Sequence, residues 1–220
     1  MNVTEPATRV EAWRDPVWRA RMREGLQALA STWGDAQIDA AIRYLDLMQR
    51  WNAAFNLTAI TEPRQMLVQH LFDSLAIAPF VTGPATLDIG TGAGLPGIPL
   101  ALNAPDADFT LLDSNGKKIR FIRQAVIELR LTNVTIVHTR VADYQPTTAF
   151  DCIVSRAYAS LRQFVDDARR LCNPGGRLLA MKARLREDEL GAIRPDCDFR
   201  VEPLKVPGLE AERHLVIIAN

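Results

Sequence analysis

Apolar side chains recur three and four residues apart along the first third of the chain, then give way to short unbroken apolar runs. Ile38, Ala41, Ile42, Leu45, Met48 and Trp51 line one face of a helix that opens near Asp35. Ahead of it, Asp15-Pro16 reads as an N-cap with proline in the first helical position, which predicts a helix of about sixteen residues. "WNAAFNLTAITEP" breaks the helical period, and "RQMLVQHLFDSLAIAPF" (64–80) predicts a third helix. From Thr86 onward "TLDI", "FTLLD" (109–113), "VTIVH" (134–138), "FDCIVSR" (150–156), "RLLAMKA" (177–183) and "ERHLVIIA" (212–219) read as strands. Helices fall between them: from Leu95, over 115–131, over "SLRQFVDDARRLCNPGG" (160–176) with a Pro-Gly-Gly turn at its end, and briefly over 185–193. Strands alternating with helices predict an α/β fold with a mainly parallel sheet. The expected organisation is a disordered extension over 1–15, a helical cap over 16–84 and an α/β domain over 85–220.

Where the first strand turns into its helix the chain reads "LDIGTGAGLPGIPLAL" (87–102), with Gly90, Gly92, Gly94 and Gly97 close together and Pro96 and Pro99 among them. Glycines there let the chain turn sharply or approach a ligand closely. The prolines are expected in the first helical turn, where their missing N–H groups are not needed, and the remaining free N–H groups are expected to face a ligand. Gly92, Gly94 and Gly97 match G-x-G-x-x-G, with Asp113 at the end of the next strand, which is a dinucleotide fingerprint. Asp88 tilts the reading away from a pyrophosphate, which a carboxylate repels, and toward S-adenosylmethionine, whose ammonium it suits. Asp113 suits the ribose hydroxyls. Backbone groups of Val141 and Ala142 after the third strand can hold an adenine edge. "SRAYASL" after the fourth strand looks toward the methyl group, with Arg156 either lining the substrate side or paired structurally with an acid such as Asp88. A nicotinamide oxidoreductase, a non-catalytic RNA binder on the same fold and a small-molecule methyltransferase stay open at this level.

Composition narrows this further. The formal net charge is zero, but residues 114–186 hold 14 basic and 5 acidic side chains, a weak sign of a surface that meets a polyanion. Lys117, Lys118, Arg120 and Arg123 crowd the start of a helix, against its dipole. Three scattered cysteines and three scattered histidines point to neither a disulfide framework nor a metal site. No run is apolar enough to span a bilayer, and the charged N-terminus is unlike a secretory signal, so a cytoplasmic monomer is expected. Neither Asn-Pro-Pro-Tyr nor Asp-Pro-Pro-Tyr follows the fourth strand, and Cys152 reads as core. A nucleophile that needs little activation fits best, such as guanine N7, which has a lone pair and no proton to lose.

"RWNAAFNLTAI", "HLFDSL", "DIGTGAGLPGIPLA", "LLDSNGKKIRFIRQ", "IVSRAYASL" and "AERHLVII" together resemble the bacterial 16S rRNA guanine-N7 methyltransferase, or glucose-inhibited division protein B, family from about Leu26 to the C-terminus. The resemblance implies a class I S-adenosylmethionine-dependent methyltransferase: Rossmann-like, with a mainly parallel seven-stranded sheet and an N-terminal helical cap. Its cofactor is S-adenosyl-L-methionine, and its substrate is one guanine N7 in 16S rRNA or a small-subunit assembly particle. Carried over by position, cofactor contacts fall on Gly90, Leu95, Val141, Ala142 and Arg156, beside Asp88, Gly92 and Asp113. Arg156 is also the candidate for substrate alignment. Lys117, Lys118 and Lys182 match a basic rim, and Arg123 and Arg140 join them as expected RNA contacts. Ala142 stands where some members carry glutamate, leaving backbone contact alone there.

Overall fold

The computed structural model describes residues 12–156, 158, 160–193 and 197–220. Most of the expected extension lies outside them. Its last residues depart from the expectation: Ala12–Arg14 form a 3-10 turn, Trp13 is buried, and its indole donates to Gln49 Oε1 at 2.9 Å. Asp15 caps the next helix by accepting from the Val17 N–H at 2.9 Å.

Helices α1 (Val17–Ala28) and α2 (Asp35–Phe55) form the cap with a third, composite helix. The last is α3 (Pro63–Met66), a π-helical turn (Leu67–Phe72) and α4 (Asp73–Leu75) in direct succession. Glu62 caps it through the N–H groups of Arg64 and Gln65. The apolar period through this segment reads as plain α-helix, so the π turn leaves no mark in the pattern.

The sheet has seven strands: β1 (Ala85–Ile89), β2 (Asp108–Asp113), β3 (Val134–His138), β4 (Phe150–Arg156), β5 (Cys172–Lys182), β6 (Phe199–Pro203) and β7 (His214–Ala219). Their order is β3-β2-β1-β4-β5-β7-β6. The first five run parallel, and β7 is antiparallel to both β5 and β6. Helices α5 (Gly97–Asn103), α6 (Gly116–Leu129), α7 (Leu161–Ala168) and α8 (Glu187–Gly191) connect them. This is the mainly parallel seven-stranded sheet that the family resemblance implies.

Two details correct the reading from sequence. The Pro-Gly-Gly segment is not a helix-ending turn but belongs to β5, at a register irregularity opposite Phe150 and Cys152. Strand β6 was not foreseen: it is a five-residue edge strand with Phe199 and Arg200 exposed, too short for its alternation of apolar and charged positions to stand out.

The cap and the sheet share one core. A single apolar cluster runs from Met22, Leu45, Met48 and Leu71 through Ile98 and Leu111 to Phe121 and Ile122. The expected boundary after residue 84 falls just before β1, but the packing crosses it. Polar ties cross it too. Ser31 and Trp33 donate to Asn103 Oδ1, Gln37 donates to the Leu102 carbonyl, and Arg50 pairs with Glu128. Among the described residues no helix is long and apolar enough to cross a membrane.

Candidate functional site

Strand order reverses between β1 and β4, with β2 and β3 laid out on one side and β5 on the other. Ligands of open α/β sheets bind beyond the carboxyl ends of the strands at such a point. The two strand ends are pinned together there by Ser155 Oγ, which donates to the Ile89 carbonyl at 2.8 Å.

The glycine loop leaves Ile89 at this point. Gly90 has φ +70°, and a Cβ there would meet nothing within 4 Å, so the conformation requires glycine and the space beyond it is open. Gly97 answers to packing instead: a Cβ would lie 2.1 Å from Leu111 Cδ2 and 2.8 Å from Asp88 Oδ2. Helix α5 begins at Gly97, so Pro96 precedes the helix and Pro99 alone falls in its first turn.

The expectation of free loop N–H groups does not hold. Gly90 and Thr91 donate to the Leu112 carbonyl, Gly92 to Asp113 Oδ2, Gly94 and Leu95 to the Thr91 carbonyl, Gly97 to Asp88 Oδ2 and Ile98 to the Gly94 carbonyl. Across 90–98 only the Ala93 N–H is without a bond among the described residues. A pyrophosphate needs several convergent N–H groups at such a loop. With these groups engaged, the G-x-G-x-x-G match does not make a dinucleotide cradle.

Two carboxylates flank the loop. Asp88 is wholly buried, and its Oδ2 accepts from Gly97 at 2.9 Å. Burial pushes this carboxyl up to about 7, while the Thr91 hydroxyl, the Gly97 N–H and Arg156 pull the other way. Asp113, at the end of β2, accepts from Gly92 and Asn115 and keeps lone pairs on both oxygens. Lys118 comes close to the loop, its Nζ 3.8 Å from where a Cβ on Gly92 would sit. After β3, the Val141, Ala142 and Tyr144 carbonyls are taken up by Arg170. Among the described residues no bond engages the Val141 or Ala142 N–H.

The other expected residues divide. Lys117, Arg123 and Arg140 are exposed. Lys182 is not an open rim lysine: its ammonium pairs with Glu189 at 2.9 Å and its side chain is 11% exposed. Arg156 does not pair with Asp88. Its Nη1 donates to the Gln69 carbonyl at 2.9 Å and lies 3.6 Å from Asp73 Oδ2. Cys152 is core, with burial pushing its thiol up to about 12. No group of His, Cys, Asp and Glu among the described residues could hold a metal ion.

Three residues next to the site were not singled out from sequence. Tyr44, buried on α2, donates its hydroxyl to the Ala93 carbonyl and so holds the loop from the cap side. Asp73 and Arg213 pair at 3.1 Å beside Arg156. Both sit in motifs that carried the family resemblance, "HLFDSL" and "AERHLVII", and that was their only signal.

Residues 37–216 match the model of a family described as GidB, rRNA small subunit methyltransferase G. The chain is 50% identical over 203 residues to a ribosomal RNA small subunit methyltransferase G of Alkalilimnicola ehrlichii, covering 92% of each chain. It is 48% identical over 194 residues to the protein of that name from Methylococcus capsulatus, covering 88% of this chain and 95% of the relative. Among solved structures, an S-adenosylmethionine-dependent methyltransferase from Aquifex aeolicus shares the fold, with a TM-score of 0.57 at 19% identity over 74% of this chain and 96% of that one.

His70 lies under the site as a packing residue. Its Nε2 is 3.0 Å from Thr58 Oγ1, and burial, followed by Arg156, lowers the ring from 6.5 to about 4. The folded chain therefore refuses a proton that the unfolded chain accepts between pH 6.5 and pH 4, and this contribution to stability is lost as pH falls through that window. From pH 7 to pH 4 the wild-type unfolding free energy is expected to fall by about 3 kcal/mol more than that of His70→Asn, read by denaturant titration at each pH.

Proposed function

The chain belongs to the rRNA small subunit methyltransferase G family, and on that premise we propose that it transfers a methyl group from S-adenosylmethionine to N7 of one guanine in the 16S rRNA of the small ribosomal subunit. The observation that carries this reading is the loop at the switch point. Its N–H groups are turned inward while two acids flank it, a setting for a cationic donor rather than a phosphate.

The residues present fit that donor. Asp88 lies beneath the loop and acts through its field, favouring the ammonium and sulfonium charges. Asp113 offers its spare lone pairs to the ribose hydroxyls. The Val141 and Ala142 N–H groups face the adenine edge, and the backbone of Gly90, Gly92 and Leu95 forms the wall between. When bound, S-adenosylmethionine supplies a methyl carbon that the guanine N7 lone pair takes while the C–S bonding pair returns to sulfur. N7 carries no proton, so the chain has none to accept, in keeping with a neutral, buried Cys152. Catalysis rests on alignment. Arg156, at the end of β4, aligns the guanine and meets the methyl-bearing end of the donor. Lys117, Lys118, Arg123 and Arg140 contact RNA phosphates. The substrate is partly assembled small-subunit rRNA.

Mapping N7-methylguanine on 16S rRNA from cells with and without this gene is expected to show one site lost with the gene; an unchanged map would overturn the function. Asp88→Asn keeps an acceptor for Gly97 and removes the charge. By calorimetry it is expected to weaken S-adenosylmethionine about tenfold and S-adenosylhomocysteine, which lacks the sulfonium charge, by no more than about threefold. Replacing the exposed Lys117 and Arg123 by alanine should weaken RNA binding and flatten its log–log salt slope by roughly 1.5, with cofactor affinity unchanged.

A further inference from the structure

Asp73 is an acid that the proposed reaction does not use, yet it is 4% exposed between two arginines from distant parts of the chain. Arg213, just before β7, donates Nε to Oδ1 at 3.1 Å, and Arg156 Nη1 stands 3.6 Å from Oδ2. Arg213 is itself fixed, its Nη1 donating to the Glu212 carbonyl and its own carbonyl accepting from Leu204. The π turn supplies the second anchor. The Asp73 N–H donates to Val68, five residues back, not to Gln69, four back. That leaves a lone pair of the Gln69 carbonyl for Arg156 Nη1, at 2.9 Å. One guanidinium nitrogen is thus held by two groups of the cap, while Arg156 Nε and Nη2 donate no hydrogen bond among the described residues.

We propose that Asp73, braced by Arg213, is a positioning residue: from the cap it fixes the Arg156 guanidinium at the end of β4 so that its unbonded edge stays available at the site of methyl transfer. This rests on the role of Arg156 in the function proposed above. Two guanidinium charges sharing one buried carboxylate make the arrangement sensitive to its loss. Without that charge Arg156 and Arg213 repel, and the exposed side of Arg156 gives it room to leave.

The test is a double-mutant cycle on methyl transfer, with the full-length protein and small-subunit particles lacking the modification. Kinetics are measured well below the unfolding temperature of each variant. Asp73→Asn is expected to lower kcat about tenfold or more with KM for the particle within about twofold. In an Arg156→Ala background the same change is expected to lower kcat by less than about twofold, because the group it acts through is gone. Losses that multiply, or an unchanged kcat in Asp73→Asn, would overturn the proposal. Arg213→Lys keeps the charge and removes the Nε bond, so it stands in if Asp73→Asn does not fold. It is expected to lower kcat about threefold in wild type and not in Arg156→Ala, and a wild-type kcat would overturn the proposal equally. Full activity in Arg156→Ala would instead remove the role given to Arg156, an outcome distinct from multiplying losses.

Discussion

A carboxylate sealed from water joins the first strand of the sheet to its first helix. Asp88 accepts the Gly97 N–H at the mouth of α5, and the absence of a side chain on Gly97 lets that helix settle onto Leu111 and Asp88 together. The rest of the loop follows from this closure. With Gly97 anchored below and Gly90 and Thr91 hung from Leu112, the intervening N–H groups turn inward, and the loop becomes a smooth wall rather than an anion trap. The same burial makes the carboxyl reluctant to ionise, so part of an arriving cation's attraction goes into holding it ionised.

The cap is part of this machinery. Tyr44 grips the loop at Ala93, and its ring packs toward Phe121 on α6, the helix whose first turn carries Lys117 and Lys118. Trp51 stacks on Phe55 and meets Phe121 edge-on, and Arg120 lies over Phe55. The basic helix and the cofactor loop are therefore both referenced to α2, and through Asp73 and Gln69 so is Arg156 at the end of β4. The basic face proposed to meet RNA and the loop proposed to hold the methyl donor share one rigid support.

Much of this was legible in the chain. The helical period of α2 and the unbroken runs of β1, β2 and β4 announced an α/β sheet because buried parallel strands must be apolar on both faces. Asp88, Gly90 and Asp113 stood out because glycine and acid residues at strand ends have few other reasons to be there. What escaped notice had no local signature. Strand β6 is five residues long and mostly exposed, too short for its alternation of Phe199, Val201 and Pro203 with Arg200 and Glu202 to announce it. The π turn differs from an α-helix by one hydrogen-bond step and leaves the apolar stripe intact. Asp73 and Arg213 lie 140 residues apart and look like surface charges until the fold brings them together. Lys182 looked free for the same reason, since Glu189 faces it only after β5 and α8 pack.

The cysteines have a consequence for the chemistry of the whole molecule. All three are reduced and buried, and burial pushes the thiols of Cys152 and Cys172 up to about 12 and about 11. A thiolate is the species that alkylating agents and peroxides attack, so at neutral pH Cys152 and Cys172 of the folded protein offer them almost nothing. Opening the sheet around β4 and β5 would uncover both sulfurs at once. Labelling of Cys152 and Cys172 thus becomes a clock for the loosening of the central strands.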